Sequence, residues 1–128
     1  MYRMMLIFVG GVSGSVLRYF VQGVVQSLTG SVRPWGTMIV NITGCLAIGV
    51  LAGLLMGSRS IGNDKLIAFL MIGVLGGYTT FSSFSLETIK LSDDRALLYA
   101  GLNVVLSVGL GLAATWIGKQ MIEHLYGT

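Results

Sequence analysis

In the middle of an apolar stretch the chain reads Gly76-Gly77-Tyr78-Thr79-Thr80-Phe81-Ser82-Ser83-Phe84-Ser85, a concentration of small, hydroxylic and aromatic side chains. Two glycines followed by two β-branched threonines make a poor helix interior, so the run predicts a break between Gly77 and Thr80. Backbone carbonyls freed by a break in apolar surroundings must be buried in protein, bonded by Ser or Thr hydroxyls, or turned toward a cavity or an ion. The other reading is a continuous helix whose hydroxyls bond back to preceding carbonyls. Phe81 and Phe84 are three apart and share a helical face. A phenyl ring carries a positive edge, so two edges turned inward can hold a small anion without any formal charge. Such a site also releases the ion, which conduction requires. Two aromatics that simply fill a helix interface are the plain alternative.

Other polar groups are sparse. Asn41 is the one amide in the middle of its apolar stretch, and its NH2 donors can serve an anion or a neighbouring helix. Arg18 is the one cation inside an apolar stretch. Because it stays charged, it must snorkel to the headgroups or face a water-filled entrance, where it would raise the local anion concentration. Tyr99, Asn103, Ser107 and Thr115 fall at steps of four, with Gly111 on the missing rung, so they share one helical face. That stripe is either a track of donors for a dehydrating ion or a line of interhelical hydrogen bonds. Glu87 reads as a boundary charge. Cys45 has no partner for an intrachain disulfide and reads as a small packing residue, and His124 lies in a polar tail. Neither has the company that a metal site or a nucleophile requires, so the chain is not expected to be an enzyme.

The elements that must position these residues follow from composition. Of 128 residues 54% are hydrophobic and 10% charged, against roughly a quarter charged in a soluble domain. A hydrocarbon core about 30 Å thick needs roughly 20 apolar residues per helix. Four charge-poor intervals meet that length, and they predict spans near 4–26, 34–56, 66–87 and 96–118 in one all-α transmembrane domain covering residues 1–128. The joints 26–33, 57–65 and 88–95 are short and rich in Gly, Ser, Asp and Arg, as connections between packed helices tend to be. The first stretch is too long for a cleavable signal peptide and lacks an Ala-x-Ala-like site. A multi-pass protein of the cell's inner (plasma) membrane is expected. The net charge of +3 is scattered, which leaves nucleic acid no basic patch to bind.

Orientation is undecided by charge. Arg3, Arg59, Lys65 and Lys119 fall on one side of the four spans and Arg33, Lys90 and Arg95 on the other. Orientation follows Lys and Arg asymmetry in short loops, so a near tie predicts insertion both ways up and an antiparallel pair with its two-fold axis in the membrane plane. Glycines at four-residue spacing, Gly10 with Gly14 and Gly49, Gly53 with Gly57, predict helices whose backbones approach closely.

Together, Gly10-Gly11-Val12-Ser13-Gly14 with Arg18-Tyr19, Gly36-Thr37-Met38-Ile39-Val40-Asn41 with Gly44, and Gly76 through Ser85 followed by Glu87 resemble the CrcB/Fluc fluoride channel family over essentially the whole chain. The resemblance implies a passive channel that exports fluoride from the cytoplasm and so relieves fluoride toxicity. It further implies a dual-topology antiparallel homodimer with two pores, each lined by both subunits. Phe81 and Phe84 would present ring edges to fluoride and Asn41 would donate to it. Hydroxyls of the third and fourth helices, at Thr80, Ser82, Ser83, Ser107 and Thr115 with Tyr99 and Asn103, would continue the path. Arg18 would line a vestibule, and a structural sodium ion (Na+) at the dimer centre would be held by carbonyls of Gly76 and Thr79. Gly111 departs from the pattern, leaving a gap where the fourth-helix ladder could hold a hydroxyl. Two rivals remain, a small multidrug-type dual-topology exporter, which wants a carboxylate within the membrane, and a membrane assembly protein that transports nothing.

Overall fold

The computed structural model describes residues 1–30, 34–56, 64–93 and 96–126, and the elements among them are all helical. Helix α1 spans Tyr2–Thr29 and α2 spans Trp35–Met56. The third span is composite. A turn of α-helix, α3 (Asp64–Leu66), leads into a wide π-helical segment, π1 (Ile67–Leu75), which a further turn, α4 (Gly76–Tyr78), completes. After Thr79 and Thr80, which are not helical, α5 (Phe81–Asp93) resumes, and α6 (Leu97–Tyr126) is the fourth span. Four helices are therefore long and apolar enough to cross a membrane.

Helix ends follow local chemistry more than charge. Gly30 ends α1 in the left-handed conformation, φ 58°, with its N–H bonded to Gln26 O at 3.0 Å, a conformation that costs glycine nothing. At the other end of the chain α6 runs on past its apolar stretch. Its 30 residues make roughly 45 Å of helix at 1.5 Å per residue, longer than a hydrocarbon core of about 30 Å. The extra turns carry a Lys119–Glu123 pair four residues apart at 3.4 Å. A charge bounds an apolar span, yet it does not end a helix. Arg33, Arg59 and Arg95 of the charge count, and Gly57 of the glycine row, lie outside the described residues.

Packing divides the chain into two pairs, α1 against π1 and α4, and α2 against α6. Both seams are made by glycine. A Cβ added at Gly14 would overlap the Val74 carbonyl, one at Gly49 the Thr115 carbonyl and one at Gly118 the Leu46 carbonyl. In lipid there is little hydrophobic drive between helices, so such backbone approach supplies the association. Correspondingly, the buried apolar core is small. Val40 is fully buried beside Leu75 and Tyr78, with Val21, Ala47, Ile48 and Leu51 against them. Phe8, Val16, Phe20, Leu98, Val105, Leu112 and Trp116 point outward, where hydrocarbon is the solvent. The core cluster lies beside the interruption of the third span and fixes its place.

Candidate functional site

The site is built around that interruption. Thr79 adopts an extended conformation, φ −80° and ψ 157°, while its N–H and its hydroxyl both donate to Leu75 O at 3.0 Å. Thr80 caps α5, with the Ser83 N–H donating to Thr80 Oγ1 at 3.2 Å, the usual service of a threonine before the first turn. Thr80 Oγ1 also lies 3.2 Å from the hydroxyls of Ser82 and Ser83. From α2, Asn41 closes a two-bond clip on Thr80. The Thr80 N–H donates to Asn41 Oδ1 at 2.8 Å, and Asn41 Nδ2 donates to Thr80 O at 3.0 Å. A backbone N–H can only donate and a carbonyl can only accept, so the amide orientation is determined, and one Nδ2 hydrogen remains outside the clip.

Gly44 lies one turn beyond Asn41 in register with the break. A Cβ there would overlap Thr79 Cγ2 and come within 3.3 Å of the Tyr78 ring. The Tyr78 hydroxyl reaches Thr43 Oγ1 at 2.9 Å. The break is thus gripped from α2 by a row of contacts, Asn41, Thr43 and Gly44.

The clip changes which backbone groups are free. In a continuous helix the Thr80 N–H would bond to Gly76 O, and the Ser83 N–H to Thr79 O. Here both donors are engaged elsewhere, by Asn41 Oδ1 and Thr80 Oγ1. The carbonyls of Gly76 and Thr79 lose their helical partners, and both residues line a cavity of about 340 Å3. Among the described residues no three His, Cys, Asp or Glu come together to hold a metal ion, so a cation at this break would depend on backbone oxygens. Across the break the start of α5 presents N–H groups and the positive end of its dipole.

The same cavity is lined by Asn41, Gly44, Cys45, Phe81, Phe84 and Ser107, is open on one side, and includes no residue of α1. The Phe81 and Phe84 ring centroids are 5.5 Å apart with planes tilted by 48°. Phe81 is 78% exposed, so its ring projects from the open side of the chain's own fold. Cys45, read from sequence as a packing residue, faces this cavity too.

The fourth-helix stripe is divided. Ser107 reaches the cavity and lies 3.4 Å from Asn103 Oδ1. Asn103 is buried and donates to Thr88 Oγ1 of α5 at 2.8 Å, and it lines, with Tyr99, a separate apolar groove beside Trp35 and Leu91. Thr115 donates to Cys45 O of α2 at 3.1 Å, inside the α2–α6 seam, where the buried Gly111 also faces the Cys45 sulfur. Ser82 and Ser83 bond to Thr80 without lining the cavity. Arg18 lies apart from the cavity, on the α1 face that carries Gly14 and Gln22.

Glu87 differs from its reading as a boundary charge. Its Oε1 accepts a 2.6 Å hydrogen bond from the buried Thr37, and its Oε2 is buried with no partner. Sequence reasoning passed over Thr37. The signal was its place four residues before Asn41, which puts both on one face of α2.

The family model described as CrcB-like protein, Camphor Resistance (CrcB), matches residues 5–119. The chain belongs to the CrcB family. It is similar to the fluoride-specific ion channel FluC of Rhizobium etli, 42% identical over 125 residues that cover 98% of this chain and 99% of that protein. The protein of that name in Coxiella burnetii is 47% identical over 124 residues, covering 96% of this chain and 99% of its own length. That of Rhodospirillum rubrum is 46% identical over 111 residues, 85% of each chain. Family membership together with four membrane-length helices makes this a multi-pass membrane protein.

Proposed function

We propose that this chain is a passive fluoride-specific channel of the inner membrane, working as a dual-topology antiparallel homodimer with two pores. The relatives' activity supplies the ion. The observation that carries the rest is the clip of Asn41 on Thr80, which holds a helix open beside two phenyl rings in a cavity open on one side. Fluoride holds its water strongly, and a pore must replace that shell with donors and ring edges. Phe81, Phe84 and the remaining Asn41 hydrogen would do so, with Ser107 beside them on the cavity wall. The open side, with the outward Phe81 ring, is where an inverted second copy would complete the lining.

The carbonyls of Gly76 and Thr79 suit a sodium ion at the dimer axis, because unwound backbone oxygens coordinate Na+ where helices are interrupted. Bound there, sodium would supply a fixed positive charge joining the two breaks. Thr80, Ser82 and Ser83 would extend the path from the break, with Asn103 and Tyr99 along the adjoining groove and Arg18 at the entrance. Thr115, bonded within the seam, would support the wall next to Cys45. An inside-negative potential drives a monovalent anion outward with about 2.3 kcal/mol per 100 mV, so export needs no coupled energy source. A proton-coupled cation exporter is disfavoured, since among the described residues no carboxylate lines the cavity.

Fluoride efflux from proteoliposomes loaded with the purified protein tests this reading. The expected result is a flux that follows the membrane potential and ignores an imposed pH gradient. A flux that requires the pH gradient, or none at all, would overturn it.

A further inference from the structure

We infer that Gln22 is a positioning residue for fluoride entry, acting through Thr37 to keep the Glu87 carboxylate withdrawn from the anion path. This role rests on the fluoride-channel reading above.

Three helices meet in a relay of one direction. Gln22 Nε2 on α1 lies 3.1 Å from Thr37 Oγ1 on α2, and Thr37 Oγ1 lies 2.6 Å from Glu87 Oε1 on α5. An ionised carboxylate only accepts, so the single Thr37 hydroxyl hydrogen points at Glu87. What faces Thr37 from α1 must then be the NH2 of Gln22, donating to the hydroxyl's lone pair. Gly36 lies against Gln22, where a Cβ would sit 3.4 Å from the Gln22 Cα and Cγ, in ordinary contact. Thr37 is 3% exposed, so water cannot replace Gln22 easily.

The carboxylate has little else to hold it. Its Oε2 is buried without a hydrogen-bond partner, so one acceptor bond from Thr37 keeps the charge in place. If Thr37 turned its hydroxyl back to a preceding carbonyl, as Thr43 does toward Ile39 O, the buried charge would lose its donor. Leaving a buried charge without a donor is costly, and Glu87, only half-buried, relieves that cost by turning its carboxylate toward water. The residues proposed for the path and its entrance are each one helical turn from a member of the relay. Glu87 is one turn beyond Ser83, Thr37 is one turn before Asn41, and Arg18 is one turn before Gln22. Arg18 makes no ion pair among the described residues. A released Glu87 would either repel the arriving anion or cancel the Arg18 charge that attracts it. Gln22 fixes the Thr37 rotamer, and that holds the entrance electropositive.

The test is fluoride efflux from proteoliposomes of the full chain at two ionic strengths, set with an impermeant salt. At about 10 mM the Debye length is about 30 Å, and at about 0.15 M it is about 8 Å. Gln22→Leu and Thr37→Val are each expected to slow efflux roughly threefold to tenfold in low salt and to lie within about twofold of wild type in high salt. Combined, the two should be no slower than either alone, because they break one relay. Adding Glu87→Gln to Gln22→Leu should recover most of the lost rate, since the released group is then neutral. Should Gln22→Leu fail to assemble, Gln22→Met keeps the stem and removes the amide. Unchanged efflux, a loss equal at both ionic strengths, or no recovery with Glu87→Gln would overturn the role of Gln22 while leaving the channel reading intact. A wild-type protein that passes no fluoride would remove both.

Discussion

At the scale of single residues, Asn41 does two things with one amide. It replaces the backbone bonds that the interrupted helix cannot make, and it keeps one hydrogen outside the clip on a residue that lines the cavity. Asn41→Leu should therefore lower stability as well as flux, because a buried N–H and carbonyl left unpaired cost about 1–3 kcal/mol each. Thermal unfolding in detergent measures this, and a melting temperature equal to wild type would show that the clip contributes nothing. The phenyl rings are separable from stability. Phe81→Ile or Phe84→Ile should slow fluoride efflux roughly tenfold, about the value of one lost aromatic interaction, with assembly intact by size-exclusion chromatography. Rates equal to wild type in both variants would remove the ring edges from the mechanism. Asn41, Thr80 and the Phe pair were legible in the sequence because a polar or helix-breaking residue in an apolar run stands out against its neighbours and must find a partner there. The clip's partner was not, since Thr80 is far from Asn41 along the chain and no local pattern joins them. The relay through Gln22 and Glu87 was hidden similarly, each member looking like an ordinary surface group near a span end.

Among the elements, the glycine seams bear the load that apolar burial carries in water. Gly14 and Gly23 lie on the same helix in opposite circumstances. A Cβ at Gly14 would overlap the Val74 carbonyl, whereas one at Gly23 meets nothing within 4 Å. Gly14→Ala should accordingly reduce the yield of folded protein and lower its melting temperature by several degrees. Gly23→Ala should be neutral or stabilising by about 0.5–1 kcal/mol, the usual gain in a helix interior. Equal behaviour of the two in thermal unfolding would contradict the seam. The small-residue rows were readable as seams, yet which helix each row faces was not, because spacing alone names a face and no partner. The number and order of spans were legible from the intervals between charges. The winding of π1 was not, since its residues are apolar throughout and composition does not distinguish a wide turn from an ordinary one.

Taken whole, the molecule buries little of itself, with an open cavity among its helices and most large side chains facing outward. A second copy in the opposite orientation is the occupant proposed for the open side. A reporter fused after Thr128 should then be found on both faces of the membrane at native expression, assayed by paired cytoplasmic and periplasmic reporters. Exclusive appearance on one face would sink the antiparallel dimer. The composite third span adds a constraint on how such a chain can vary. The wide winding of π1 determines the angle at which Thr79 and Thr80 arrive opposite α2. Each residue removed from a helix turns everything after it by about 100°. Loss of one residue from Ile67–Leu75 with its winding kept would swing the threonines out of reach of α2, and only a compensating return to the commoner winding could bring them back. Length and winding in this stretch are therefore coupled, so that a chain of this fold shortened here must also be rewound.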